Sequence, residues 1–218
     1  MDFRWDIVSE YMPYFLQGAG LTIVFSLVAI FIGTILGLFI GLGRMSEKKI
    51  ISYIFVWYIN FFRGTPIFVQ ILLIHFGAMP YFMNPVSPAV SLTVALTLNA
   101  AAYIAEIFRA GIQSIDKGQM EAARSLGMTK AQTMWHIIIP QAFKRMIPPL
   151  GNEFIALLKE SSLGAVIAAP ELMYWGRAAS SAYYRTWEAY LPVAAGYLML
   201  TLTLTYLLTK LEKRFNLS

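Results

Sequence analysis

Apolar runs dominate the chain, and five of them are long enough to cross a bilayer as helices, which takes about 20 residues each. They fall at about residues 18–43, 50–79, 89–111, 146–169 and 190–209. The second is interrupted by Arg63-Gly64-Thr65-Pro66, where proline removes a backbone donor and glycine loosens the helix, so a break or kink is expected there. Between the third and fourth runs the pattern turns polar, and residues 117–139 divide into two short helices. Asp116 fits an N-cap with Gln119 three residues on, Gly127 suits the left-handed residue that ends a helix, and Thr129 with Gln132 repeats the cap pattern before Pro140. Both pieces are shorter than the ~12–15 residues below which isolated helices are marginal in water, so something else must hold them. The expected fold is an all-α polytopic membrane protein: one transmembrane domain over residues 1–218, with five transmembrane helices and a helix-turn-helix loop.

Composition agrees. Hydrophobic residues make up 58% and charged residues 13% of the chain, against roughly 25% charged in an ordinary globular domain. The absence of cysteine excludes disulfides and thiolate metal sites, and His75 and His136 are far apart, so neither a metal nor a cofactor is expected. The net charge of +5 does not point to nucleic acid, because the basic residues border apolar runs instead of mixing with aromatic ones. Arg44, Lys48 and Lys49 follow the first run. Arg109, Lys117, Arg124, Lys130, Lys144 and Arg145 flank or fill the polar loop, and Lys210, Lys213 and Arg214 follow the fifth run. Only Arg4, Arg177 and Arg185 fall on the opposite side. Cytoplasmic loops collect Lys and Arg, so the loop and the C-terminus are expected inside and the N-terminus outside. Asp2, Asp6 and Glu10 give the N-terminus the wrong charge for a cleaved signal peptide, so it should be retained.

Two polar stripes lie inside apolar runs. Asn99, Tyr103 and Glu106 recur at i, i+4 and i+7, on one helix face, and Glu106 with Arg109 at i+3 reads as a structural ion pair near the interface. The fourth run carries Asn152, Glu153, Lys159 and Glu160 within one sector. A central ionised residue costs on the order of 2.5–3.5 kcal/mol, while each Leu, Ile, Phe or Val returns only ~0.3–0.6, so that sector must face protein or water. One reading makes Glu153, with Asn152, Asn99, Tyr103, Ser161 and Glu160, a polar site for a zwitterionic or cationic solute; a carboxylate in low dielectric prefers a cation, which favours a basic amino acid. The other reading has Lys159 or Arg63 pairing with Glu153 or Glu160 to hold helices together.

EAARSLG at 121–127, followed by nine residues and IIIP at 137–140, resembles the EAA loop of permease subunits of ATP-binding-cassette (ABC) importers. The matching positions are Glu121, Ala122, Ala123, Gly127, Ile137, Ile139 and Pro140, with Ile139 where the family usually has Leu. FRGTP at 62–66, NAAAYIAEIFRAGI at 99–112 and KESSL at 159–163 are similar to the polar amino acid branch. The resemblance implies that 117–139 forms cytoplasmic coupling helices that dock on an ATP-binding subunit. It further implies two such subunits, a second permease copy or homologue, an extracellular or periplasmic solute-binding protein, and a bacterial inner or plasma membrane. Asn-Glu at 152–153 resembles basic amino acid permeases, where glutamine permeases tend to carry Gln second. The chain has no GxxxxGK[ST] motif to cradle nucleotide phosphates, so it should be non-catalytic, with ATP hydrolysed by a partner. The expected function is therefore import of polar amino acids, above all arginine, lysine or histidine. Three alternatives stay open: the same importer class for glutamine or other polar amino acids, a secondary transporter using Glu153, and an assembly subunit. A secondary transporter commonly shows internal repeats, and none is found.

Overall fold

A computed structural model describes residues 2–214. The described residues form helices and connecting turns with no strand, as the apolar pattern predicts. α1 (Trp5–Arg44) starts well before the first apolar run. At about 1.5 Å per residue its 40 residues reach ~60 Å, twice a hydrocarbon core of ~30 Å. The early start has a packing cause: Ile7, Val8 and Phe15 are buried, and Phe15 shares a cluster with Leu172, Ala179, Ala189 and Val193. Further along, Gly37 lets α1 meet α4 (Pro88–Gln113) backbone to backbone, since a Cβ there would lie 2.9 Å from the Ala101 carbonyl oxygen.

The second run does not form one straight span. α2 (Lys49–Gly64) and the segment 67–81, which begins with α3 (Ile67–Leu72), are bent by 106° across the Thr65-Pro66 break. Gln70 closes that break by donating to the carbonyls of Phe62 (2.8 Å) and Thr65 (3.0 Å) and to the Thr65 hydroxyl (2.9 Å). Past α3 the chain widens into a π-turn at Leu73–Ala78, where His75 Nδ1 lies 2.9 Å from the Ser91 hydroxyl.

α5 (Lys117–Ser125) is capped by Asp116, whose carboxylate accepts from Gly118 N–H at 2.8 Å. It ends where predicted: Gly127 has φ +86°, Met128 N–H donates to the Ala123 carbonyl and Gly127 N–H to that of Arg124, the paired bonds of a Schellman turn. Thr129 and Gln132 form a reciprocal capping box that starts α6 (Lys130–Thr133). The second loop helix does not stop at Pro140. It passes through a π-turn, Met134–Ile138, directly into α7 (Ile139–Glu160), the widened turn standing just before Pro140, whose missing N–H a regular α-helical ladder would have to do without. α7 tightens into a 3₁₀ segment, Ser161–Ile167, and the chain reverses at Ala168, φ 60°. α8 (Leu172–Tyr183), absent from the apolar reading, and α9 (Thr186–Arg214) complete the chain.

α1, α4 and α9 are each long and apolar enough to cross a membrane, and the bent pair counts as a fourth if taken as one span. α7 is not among them; it carries Lys144, Arg145, Glu153, Lys159 and Glu160. α1 and α9 start side by side, with Arg4 N–H donating to Glu188 at 3.2 Å, and Gly151 of α7 lies against Leu208 near the far end of α9. Arg44, the loop 117–139 and Arg214 are thus brought toward one end of the molecule, where Lys130 Nζ meets Glu47 at 2.7 Å.

Candidate functional site

A cavity of about 590 Å³ lies between the end of α2, the C-terminal half of α4 and the N-terminal half of α7. Helical spacing puts its polar walls there: Tyr103, Glu106 and Ala110 recur at i, i+3 and i+7 on α4, and Arg145, Pro149 and Glu153 at i, i+4 and i+8 on α7. α2 delivers Arg63 from its last turn.

Glu106 is the electrostatic hub. Its side chain is 14% exposed and takes an ion pair from Arg44 of α1 and another from Arg109, whose Nη2 lies 2.9 Å from Oε2. Arg63 Nη1 stands further off, at 3.6 Å, with its guanidinium 5.2 Å from the centre of the Tyr103 ring. The expected Glu106–Arg109 pair is therefore present but belongs to a larger group, one carboxylate among guanidiniums from three helices. Arg63 is the least committed of them, and it lines the same cavity as Glu153. Glu153 is half-buried and, among the described residues, makes neither an ion pair nor a hydrogen bond through its carboxylate. The expected pairing of Arg63 or Lys159 with Glu153 or Glu160 is not formed; Arg63 pairs with Glu106 instead.

Of the candidate binding residues, the structure brings Tyr103 and Glu153 to the cavity and leaves four outside its walls. Asn99 is buried, and its amide donates to Gln70 Oε1 (2.9 Å) and the Phe62 carbonyl (3.3 Å), so it braces the α2–α3 break instead of facing solute. Ser161 is fully buried and its hydroxyl donates to the Leu158 carbonyl at 2.8 Å, one turn back. Asn152 is exposed on the outer side of α7, and Glu160 lies about two turns beyond Glu153. Arg63, Arg145 and Gln70 were not assigned to the site from sequence; the signal available for Gln70 was a buried amide four residues after a helix-breaking proline. Glu171 was also missed. It is fully buried, caps α8 through Met173 N–H (2.8 Å) and Tyr174 N–H (2.7 Å), and accepts from the Tyr197 hydroxyl at 2.5 Å.

In the loop, Glu121 and Ala122 are exposed, Ala123 is buried and Ile137 is half-buried. Leu126 at the turn is 85% exposed and Trp135 69%, an apolar pair that the described residues leave uncovered. Glu47 accepts from Lys130, and that hydrogen bond holds its carboxyl below the usual range.

The described residues thus form a helical membrane chain with an exposed polar loop and a cavity walled by both charge signs. Residues 33–216 match the family described as binding-protein-dependent transport system inner membrane component, and the chain belongs to that family. It is 44% identical over 171 residues to YckA of Bacillus subtilis, a probable amino-acid ABC transporter permease protein, covering 78% of this chain and 75% of that one. It is 36% identical over 219 residues to the glutamine transport system permease protein GlnP of Escherichia coli, covering 100% of both. A crystal structure described as an amino acid ABC transporter with histidines superposes with a TM-score of 0.92 at 44% identity, covering 98% of this chain and 100% of that one. The chain is thus a permease, a non-catalytic inner-membrane subunit of an ABC importer, and ATP hydrolysis belongs to a partner. Family membership implies ATP-binding subunits and a solute-binding protein, and it sets aside the secondary-transporter and assembly-subunit alternatives.

Proposed function

We propose that the chain imports amino acids with a preference for basic ones, and that Glu153 is the residue that reads the side-chain cation. The observation that carries this reading is the pairing of charges in one cavity: a carboxylate on α7 that has no partner among the described residues, and a loosely held guanidinium, Arg63. A free amino acid presents an α-carboxylate and one or two cations, so Arg63 suits the former and Glu153 the side chain, with Tyr103 forming the wall between them. The solved relative with histidines supports a basic substrate. The full-length match to a glutamine permease supports a second reading, in which Glu153 accepts from a neutral amide.

The rest of the assembly follows the same lines. Residues 1–218 act as one transmembrane domain with five spans, α7 being the fourth, sheltered by protein because of its charges. The N-terminus lies outside, where a solute-binding protein delivers substrate. Two ATP-binding subunits grip 117–139 on the cytoplasmic side, with Glu121, Ala122, Ala123, Gly127, Ile137 and Pro140 shaping the grip; the exposed Leu126 and Trp135 support this, since an apolar tip at the basic end needs a groove to enter.

Uptake into vesicles carrying the permease with its ATPase tests the substrate. Arginine, lysine or histidine should outcompete glutamine, and Glu153→Gln should weaken them about 10- to 100-fold, the loss of a charge-assisted hydrogen bond of ~1.5–3 kcal/mol, while sparing glutamine. Equal transport of arginine by Glu153→Gln would retire the assignment.

A further inference from the structure

Pro66 opens a gap in the hydrogen-bond ladder beside Arg63. A helical carbonyl accepts from the N–H four residues on, and for Phe62 that residue is Pro66, which has none. Gln70 supplies the missing donor: its Nε2 lies 2.8 Å from the Phe62 carbonyl oxygen. The same nitrogen reaches the Thr65 carbonyl at 3.0 Å and the Thr65 hydroxyl at 2.9 Å, the hydroxyl being free to accept because its own hydrogen goes to the Phe61 carbonyl at 2.8 Å. The two hydrogens of one amide are thus shared among three oxygens that flank Arg63-Gly64 on both sides. The amide oxygen is held in turn by Asn99 at 2.9 Å. Gln70 is 2% exposed and lies outside the cavity wall, so it does not meet solute.

What the clamp fixes is the root of Arg63. The guanidinium is lightly held at its own end, 42% exposed, 3.6 Å from Glu106 and 5.2 Å from the centre of the Tyr103 ring. Its placement therefore comes from the backbone. The Phe62 carbonyl belongs to the peptide unit that the Arg63 N–H completes, so a bond to it sets the plane from which the Arg63 side chain leaves. Thr65, two residues on, fixes the other side. A guanidinium gives a carboxylate its full pair of hydrogen bonds at low entropic cost only where it is already aimed.

We infer that Gln70 is a positioning residue for solute recognition: by standing in for the N–H that Pro66 lacks, it aims Arg63 at the α-carboxylate of the amino acid. This depends on the reading in which Arg63 takes that carboxylate. The solute's side chain plays no part, so the role is the same for a basic amino acid and for glutamine.

The test is titration calorimetry on the purified permease–ATPase complex with arginine and with agmatine, its counterpart without the α-carboxylate. Glutamine with the amide of γ-aminobutyric acid makes the same comparison independently of Glu153. Gln70→Met and Gln70→Leu are close in volume to glutamine and have no donor; co-purification of the ATPase reports that each is folded. Both should cut the preference for arginine over agmatine about 10-fold and leave arginine over citrulline unchanged. In an Arg63→Gln background, Gln70→Met should change the ratio no further, because its effect passes through Arg63. Val193→Ala, in the separate cluster of α1, α8 and α9, controls for lost stability: it should lower the unfolding temperature and leave the ratio alone. An unchanged ratio in Gln70→Met and Gln70→Leu while Arg63→Gln erases it overturns the role of Gln70 alone. So does an equal loss in Val193→Ala, or a Gln70→Met effect undiminished in the Arg63→Gln background. A ratio that Arg63→Gln leaves intact overturns this inference together with the carboxylate reading beneath it.

Discussion

Arg63 is the residue on which the shape of the proposed solute site turns. It touches Glu106 at 3.6 Å, but that carboxylate is already engaged by Arg44 and Arg109, so Arg63 has the most to gain from an anion entering the cavity. If it holds the α-carboxylate, Arg63→Gln should erase the difference in affinity between arginine and agmatine, which lacks that group, while leaving the preference of arginine over citrulline to Glu153. Titration calorimetry on the purified complex measures both ratios. Asn99 makes the opposite prediction. Asn99→Ala removes the brace between Gln70 and the α2–α3 break and leaves a buried amide unsatisfied, which costs about 1–3 kcal/mol. The unfolding temperature should fall with no change in arginine-to-glutamine selectivity. Sequence placed Asn99 and Tyr103 on one helix face, and that was right as geometry. What stands opposite a face is set by tertiary packing, and the amide waiting there, Gln70, belongs to another run. Glu153 was legible because a carboxylate amid apolar residues is expensive wherever it faces.

At the scale of elements, the signals that survived are those written in backbone chemistry. The Asp116 cap, the left-handed Gly127 and the Thr129–Gln132 box are all where their residue types put them. Gly127→Ala forces a Cβ into φ +86°, at a cost of about 1 kcal/mol or more, and nothing within 4 Å would clash. The effect should therefore be on the path of the turn, seen as weaker retention of the ATPase on an affinity column with the permease itself still folded. The loop is also latched to the α1–α2 connection by Lys130 and Glu47. Because that bond lowers the Glu47 carboxyl, its contribution is present above the ordinary carboxylate range and is lost as pH falls through the lowered value. Hydrogen exchange of residues 117–133 should be insensitive to pH once the rate's own pH dependence is removed, until acid protonates Glu47; Glu47→Gln should show the unlatched exchange at every pH. Less legible were the ends of elements. The α6–α7 continuation across Pro140 relies on a π-turn that no residue type announces, and α8 is held by contacts with α1 and α9, leaving only a short apolar pattern in its own sequence.

For the whole molecule, the Glu106 group joins α1, α2 and α4 at the end where the segment 117–139 lies, whereas α7 makes no ion pair with that group and is held by a hydrogen bond from Arg145 to the Ser114 carbonyl and by apolar contacts such as Gly151 on Leu208 of α9. The cavity runs along the boundary between these two sets. If 117–139 couples to the ATPase as proposed, a push on it would be carried straight into α7, since 130–167 is helical without a break, with the ion-paired set as the wall against which α7 would tilt. Loss of the hub should therefore loosen the fixed wall. Breaking a fully buried pair typically costs 3–5 kcal/mol. With Arg44, Arg109 and Arg63 side chains 24%, 29% and 42% exposed, water recovers part of that, and Glu106→Gln should cost nearer ~2 kcal/mol. The residual penalty is repulsion among guanidiniums left without their carboxylate, so it should respond to removing one of them. Glu106→Gln with Arg109→Gln should recover a good part of the lost unfolding temperature relative to Glu106→Gln alone. Additive losses in that double-mutant cycle would mean that Glu106 stabilises the fold by packing, and that α1, α2 and α4 are not held as one body by charge.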